Sequence, residues 1–348
     1  TDVEEVKSTG QALLLVDVGD FISQEGYASD KNSIQLKIAA QFMLEGMSYM
    51  GYSCANVGEG DLIFGDLFLK SLYDRYKVPL ISSSITCGGE TVFLPVLIAP
   101  LGPIKVGIVG VLSDTFDSYV KEHSDPGRSL AIQDPKKAME EALESLSGKA
   151  NLKLLLIHAP FDQARELIRA VPGYDIAICG HETRFLLLDK PELIGETYLV
   201  GGGWQGQRIG RLDVKLDPQG KILEVEGSSV ALYSSWPSHP VMENLHERYL
   251  ARVQQALEEI LEQYPVKPPP SGGRFVGAQS CAACHREVWS SWRKTKHYGA
   301  WRTLQQLNRD YDPECFSCHT TGFTYEGGFR LFDETPQMAG VQCEACHG

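Results

Sequence analysis

Six of the nine cysteines lie in three copies of one short motif, in which two residues separate a pair of cysteines and a histidine follows directly. The copies are CAACH (281–285), CFSCH (315–319) and CEACH (343–347). This is the spacing of c-type haem attachment. The two thiols lie on one side of a helical turn and can bond the two vinyl groups of a porphyrin, while the histidine binds the iron. The motifs therefore predict three haems c.

Each motif residue has a predicted role in holding haem. We expect thioether bonds from six cysteines: Cys281, Cys284, Cys315, Cys318, Cys343 and Cys346. The predicted proximal iron ligands are His285, His319 and His347. An electron-transfer haem needs a second strong axial ligand, for which His297 in SSWRKTKHYGAW is the first candidate, followed by His239 and His246. A haem iron without a second histidine ligand would be open to a small ligand or substrate.

Zinc binding and disulfide bonding are the alternatives for these cysteines. Zinc sites usually combine a Cys-x-x-Cys pair with a second pair of ligands farther along the chain, and do not need a histidine after every pair. A disulfide framework does not explain why all three pairs share the same trailing histidine. The repeated histidine therefore favours haem over both alternatives.

The segment 273–348 resembles the multihaem cytochrome family typified by the tetrahaem electron carrier of ammonia oxidisers. The resemblance is carried by CAACHREVWSSWRKTKHYGAW, CFSCHTTGF and VQCEACHG. It implies closely packed haems with two histidine ligands each, and a fourth haem for which this sequence has no motif. Because the segment shows little apolar periodicity, we also expect the haems themselves to form its core.

A second group of chemically active side chains follows apolar runs in the first two thirds of the chain. The runs 12–18, 52–58, 92–99, 105–112, 152–159 and 174–180 have the composition of buried strands, and helical patterns cover 37–50, 135–148 and 161–171. This alternation predicts a layered α/β domain whose sites gather at the carboxyl ends of the strands. The side chains at such ends include Asp20, Glu59, His158 and His181, which are metal-ligand types. The alternative is that each is a helix cap or a solvated loop residue.

The order of these motifs over residues 10–232 resembles the metallophosphoesterase domain of the 5′-nucleotidase family. The resemblance implies a layered α/β sandwich that holds two divalent metals and hydrolyses phosphate esters. This sequence departs from the family pattern: the first Asp-x-His is absent, Glu59 and Gly60 replace an Asn-His pair, and Thr183 replaces the last histidine. We therefore expect two-metal hydrolysis to be lost. One divalent ion could remain, bound by Asp20, Glu59, His158 and His181.

These patterns predict three segments. Residues 1–238 form the metallophosphoesterase-like domain, 239–272 form a helix and a proline-rich linker, and 273–348 form a small, haem-packed, mostly helical or irregular cytochrome domain. An apolar stripe at helical spacing supports the helix between 240 and 264, and the prolines of VKPPPSGG end it.

The charge and the hydropathy of the sequence argue against a nucleic-acid partner and against a transmembrane segment. The formal net charge of -13 argues against nucleic acid, and no apolar run reaches the length of a transmembrane segment. We expect a mature or trimmed product, exported to the periplasm or the cell surface by an upstream signal. Its expected partners are redox proteins, and a homo-oligomer or polymer with inter-subunit haem contacts is a further expectation.

The leading functional hypothesis is a multihaem electron carrier whose α/β domain acts as a scaffold or docking module. The enzyme alternatives are a metallophosphoesterase, or a haem oxidoreductase acting on a small nitrogen or sulfur species. The third alternative is a structural subunit of a haem-bearing polymer. The sequence favours a carrier over a hydrolase and assigns no catalytic residue.

Overall fold

The computed structural model of the 348-residue chain describes residues 6, 8–22, 33–181, 190–201, 206–233 and 235–347. The chain forms two compact units. The first unit comprises residues 1–31 and 40–243, and the second comprises 32–39 and 244–348. No helix in the described part of the chain is long and apolar enough to cross a membrane. The predicted domain limits at 238 and 272 stay a prediction.

The strands of the described residues all belong to the first unit. They are β1 (Val16–Asp17), β2 (Cys54–Asn56), β3 (Leu80–Ile81), β4 (Ile85–Cys87), β5 (Glu90–Thr91), β6 (Val96–Leu101), β7 (Ile104–Leu112), β8 (Leu130–Ile132), β9 (Leu152–His158), β10 (Ile176–Gly180), β11 (Glu192–Ile194), β12 (Thr197–Gly201), β13 (Arg208–Leu216) and β14 (Ile222–Ala231). Each of the six predicted strand runs overlaps one of these strands, so the prediction of strand positions is confirmed.

The α-helices are distributed over both units. They are α1 (Ile34–Met50), α2 (Gly65–Tyr76), α3 (Asp117–Glu122), α4 (Pro135–Leu146), α5 (Phe161–Ala170), α6 (Pro240–Gln255), α7 (Leu257–Glu262), α8 (Ala278–Cys281), α9 (Arg286–Trp292), α10 (Ala300–Gln306), α11 (Pro313–His319) and α12 (Glu344–His347). Short 3₁₀ helices cover Gly60–Phe64, Asp114–Phe116 and Pro336–Met338.

The centre of the first unit is a six-stranded sheet in the order β11-β12-β10-β9-β7-β6. The four inner strands are parallel, and the two edge strands are antiparallel to their neighbours. Helices α4 and α5 pack on one face, against side chains such as Leu155 and Ile157. The opposite face, which includes Leu154 and Leu156, packs against β1, β2 and the β13–β14 hairpin. Burial on both faces explains why these strands are continuous apolar runs in the sequence.

A second, three-stranded parallel sheet completes the layers, in the order β1-β2-β3. Its strands are short, and Cys54 and Ile81 insert into the same apolar layer as the six-stranded sheet. The carboxyl ends of β1 and β2 are adjacent because Val16 pairs with Cys54 and Asp17 with Ala55. The carboxyl ends of β9 and β10 are adjacent in the same way, since His158 pairs with Gly180. The expected α/β layered fold is confirmed.

The second unit has an apolar core of its own, built mainly from aromatic side chains. The buried members are Leu261, Trp301, Leu304, Phe316, Phe323, Phe329 and Met338. The expectation that haems alone form the core of this region is therefore wrong. Periodicity misses this core because its members lie on short helices and loops, and α7 contributes part of it from outside 273–348.

Candidate functional site

Four strand ends of the first unit bring the predicted metal-binding side chains together. Asp20 follows β1, Glu59 follows β2, His158 ends β9 and His181 follows β10. One ligand atom from each residue lies within 4.8 Å of all the others. The structure therefore assembles the whole predicted set, although the four residues span 161 sequence positions.

Each imidazole of this cluster lies within 3.9 Å of both carboxylates. His158 Nε2 lies 3.0 Å from a Glu59 carboxylate oxygen and 3.3 Å from Asp20 Oδ2. His181 Nδ1 lies 2.9 Å from the other Glu59 oxygen and 3.9 Å from Asp20 Oδ2. The side chains of His158 and Glu59 are each 1% exposed, whereas His181 is 24% exposed. The cluster thus has a buried floor and one more open side.

A carbonyl oxygen fixes the orientation of His158. Its Nδ1 lies 2.9 Å from the oxygen of Val18, and because a carbonyl only accepts, Nδ1 must carry the hydrogen. Nε2 then faces the two carboxylates. Among the described residues, Nε2 and both Glu59 oxygens are buried and have no partner in hydrogen-bond geometry. These atoms converge without bonding to one another, and a carbonyl oxygen orients one of the histidines. This arrangement fits a set of nitrogen and oxygen ligands for a cation.

Asp61 holds the loop after β1 against the loop after β2. Its Oδ2 accepts the N–H groups of Asp20 and Gly58, both at 2.9 Å, and its Oδ1 accepts the N–H of Ile22 at 2.9 Å. Asp20 and His181 adopt the left-handed conformation, with φ of 63° and 71°. For non-glycine residues this conformation is uncommon and tends to occur at functional sites. The fully buried Asp61 therefore positions a ligand that it does not itself join.

Burial and charge act in opposite directions on the titration of the cluster. Burial raises the pKa of Asp20, but the neighbouring His158 outweighs it and lowers the pKa to about 2. Burial lowers the pKa of His181, but Asp20 and Glu59 raise it to about 9. The two carboxylates therefore favour positive charge at the centre of the cluster. A bound divalent ion would supply the same positive charge and release protons.

Three further residues shape the site and lie outside the predicted set of four ligands. Asn56 donates to the carbonyl oxygen of Val111 at 3.1 Å and joins the two sheets. Asp61 clamps the loops, and the Phe116 ring lies 4.5 Å from that of His181. Asn56 and Asp61 stand in the same short segment as Glu59, which is the signal that could have found them. Phe116 carries no such signal, and Thr183 lies outside the described residues.

In the second unit, each haem motif forms one helical turn. The N–H of His285 donates to the oxygen of Cys281 at 3.0 Å, and that of His347 to the oxygen of Cys343 at 2.9 Å. The second motif lies within α11. In each motif the first cysteine is half-buried and the second is exposed. This places both thiols on one accessible side of a turn, which fits thioether attachment to one porphyrin edge.

The motif histidines also fit iron ligation. His319 Nδ1 lies 2.8 Å from the carbonyl oxygen of Ala300, so the other ring nitrogen is left for a metal. The side chains of His285 and His347 are exposed. The thiols of Cys281 and Cys343 contact each other, and burial and this neighbour raise the pKa of Cys281. The first and third motifs are therefore adjacent.

The predicted distal ligands lie in different surroundings. The carbonyl oxygen of His297 accepts the N–H of Val341 at 3.0 Å, which places its backbone next to the third motif. His246 stacks on Tyr249 within the second unit, with ring centroids 6.2 Å apart. His239 belongs to the first unit, where its ring lies 5.7 Å from that of Tyr49. Iron ligation by these three histidines stays a prediction.

The comparisons with known proteins divide the chain in the same way. Residues 280–348 match the family model described as cytochrome c554 and c-prime. Cytochrome c-554 of Nitrosomonas europaea is 34% identical over 89 residues, which cover 21% of this chain and 38% of that protein. The snake venom 5′-nucleotidase of Naja atra is 24% identical over 266 residues, covering 70% of this chain and 48% of that enzyme.

The chain joins a 5′-nucleotidase-like part to a cytochrome c554-like part. The fold of the 5′-nucleotidase-like part is also that of the sulfate thiohydrolase SoxB of Thermus thermophilus, with a TM-score of 0.62 and 20% identity over 73% of this chain and 45% of that one. The chain spans less than half the length of each of these three relatives. The similarity at this identity establishes the fold of the first part and leaves its activity to be tested.

Proposed function

We propose that this protein carries electrons outside the cytoplasm through three haems c. The observation that supports this most strongly is that the three Cys-x-x-Cys-His sequences each form a helical turn that offers two thiols and an imidazole. The haems would supply one-electron chemistry when bound. The chain's own contribution is to hold the haems, and the contact between Cys281 and Cys343 supports close packing of the first and the third.

The proposed location follows from the chemistry of attachment and from the kind of relatives. Thioether attachment of haem is completed after export, and the formal charge of -13 suits a soluble redox partner rather than nucleic acid. We infer a periplasmic or cell-surface site of action and redox proteins as partners. The alternative is that electrons pass between the haems of neighbouring copies of the chain, in an oligomer or polymer.

The 5′-nucleotidase-like part is proposed to bind one divalent cation and to act as a scaffold or docking module. In the described residues, a single cluster offers ligands for a metal, and it consists of Asp20, Glu59, His158 and His181. Two-metal hydrolysis needs ions on both sides of the phosphoryl group, and Glu59 and Gly60 stand where the family that this sequence resembles has an Asn-His pair. A structural ion that ties the strand ends together is the simpler role for this cluster.

Haem counting tests the central proposal. In protein produced with the c-type maturation system, we expect a pyridine haemochrome spectrum to give three haems per chain. The double variant Cys315→Ala with Cys318→Ala should give two, whereas the control Cys87→Ala, outside the motifs, should keep three. Colourless protein, or three haems in the double variant, would refute the proposal.

An esterase assay distinguishes the electron-carrier hypothesis from the hydrolase hypothesis. We expect protein loaded with Mn²⁺ to hydrolyse p-nitrophenyl phosphate no faster than the same protein with Glu59→Gln. Metal-dependent turnover that this substitution abolishes would instead establish a hydrolase. A haem oxidoreductase would be recognised by high-spin ferric iron in the oxidised spectrum, because an open iron lacks the second strong ligand.

A further inference from the structure

The carboxylate of Asp312 is buried at the start of the helix that carries the second haem motif. Asp312 is the N-cap of α11, which contains Cys315, Cys318 and His319. The residue is 0% exposed. Its Oδ1 accepts the N–H of Glu314 at 3.2 Å, which satisfies a backbone donor of the first helical turn.

The side chains of Gln35 and Arg309 donate hydrogen bonds to this carboxylate. The Gln35 amide nitrogen donates to Asp312 Oδ1 at 2.6 Å. The guanidinium of Arg309 donates through Nε to Oδ2 at 2.9 Å, and its Nη2 contacts the same oxygen. Arg309 is 36% exposed at its side chain, whereas that of Asp312 is 1% exposed. The pair therefore consists of a buried anion and a cation that extends toward solvent.

The same carboxylate lies against the sulfur of Cys315. The thiol hydrogen-bonds to Asp312, and burial followed by the charge of Asp312 raises the pKa of Cys315 to about 12, while Arg309 acts in the opposite direction. Once this sulfur is a thioether it no longer donates a hydrogen. The anion then stands directly beside an atom that is bonded to the porphyrin.

We propose that Asp312 and Arg309 tune, with opposite signs, the reduction potential of the haem held by Cys315, Cys318 and His319. This inference rests on the proposed haem attachment. Reduction adds one electron to the haem from the redox partner, and a nearby negative charge disfavours that addition, whereas a positive charge favours it. Because the carboxylate is shielded from water, its effect on the haem is screened weakly.

Spectroelectrochemical titration of the full, haem-loaded chain tests the proposal. We expect Asp312→Asn to raise one of the three midpoint potentials and Arg309→Gln to lower the same one. A change of about tenfold in the reduction equilibrium corresponds to about 59 mV for a one-electron couple. Asparagine is as good an N-cap as aspartate, so the first variant keeps the start of the helix.

Two further variants complete the test. Asp333→Asn removes an exposed carboxylate of the same unit and should leave all three potentials in place, and Arg309→Lys should retain the parent potential because it keeps the charge. Unchanged potentials in Asp312→Asn and Arg309→Gln, or shifts in the same direction, would overturn the tuning. If Asp312→Asn loses a haem, the comparison of Arg309→Gln, whose potential should fall, with Arg309→Lys, whose potential should not change, still decides. A parent without three haems would instead refute the proposed function, and the haem count shows this before any titration.

Discussion

The Nδ1–H of His158 donates to the carbonyl oxygen of Val18 across 2.9 Å, from the six-stranded sheet to the loop that follows β1. This bond leaves Nε2 3.0 Å from a Glu59 oxygen. A carbonyl that orients a histidine in this way is the usual outer support of a metal ligand. This bond thus joins the two sheets at the point where the four candidate ligands meet.

Loss of one carboxylate should abolish most cation binding. We expect Glu59→Gln to weaken the affinity for Mn²⁺ at least about tenfold, because it removes a charged ligand from the buried floor of the cluster. Isothermal titration calorimetry measures this directly. The exposed Glu90 provides the matched control, since Glu90→Gln removes the same charge elsewhere. Equal affinity in the two variants would contradict the assignment of the site.

Close packing of the two loops gives a second prediction. A methyl group at Gly58 would lie 2.7 Å from the backbone nitrogen of Asp20, and neither backbone can yield without moving a ligand. We therefore expect Gly58→Ala to reduce the affinity for Mn²⁺ while leaving the haem count unchanged. Gly299→Ala serves as the control, because its added methyl group meets its nearest atom at 3.8 Å. A full-affinity Gly58→Ala protein would show that the loops are not held as described.

The half-buried Asp17 makes stability depend on pH. Burial raises its pKa from 3.8 to about 6, so between these values the folded protein binds a proton that the unfolded chain has lost. The stability contributed by this group is therefore present below pH 4 and is lost as the pH rises to 6.

Substitution isolates that contribution. In the presence of a chelator, Asp17→Asn should raise the free energy of unfolding by at most about 3 kcal/mol at pH 7, and change it little at pH 4. Asparagine keeps an oxygen to accept the N–H of Gly19, as Asp17 does at 2.9 Å. Urea unfolding at the two pH values measures the difference. An equal effect at both would mean that Asp17 does not titrate in this range.

The sequence anticipated the parts of the molecule that follow a local pattern. The run 152–159 is apolar because both faces of β9 are covered, and β9 ends at His158, where parallel strands bring ligands together. The position of Asp61 beside Glu59 marks it as a candidate, but its contact with Asp20 is not visible in the sequence, because the two residues are 41 positions apart. Phe116 and the aromatic core of the second unit were missed for the same reason: their packing partners come from separate short segments without periodicity.

That aromatic core gives the last prediction. Phe316 is 0% exposed and lies between the two cysteines of the second haem motif. Its ring packs edge-on against those of Phe323 and Phe329, with ring centroids 5.3 and 5.2 Å apart. Phe316→Ala would leave a cavity that costs about 3–5 kcal/mol. We expect a clear drop in the temperature at which the Soret absorption of the haem-loaded chain changes. Phe332→Ala removes a ring that is 40% exposed and should cost much less, so equal effects of the two substitutions would show that the haems, and not these side chains, hold the unit together.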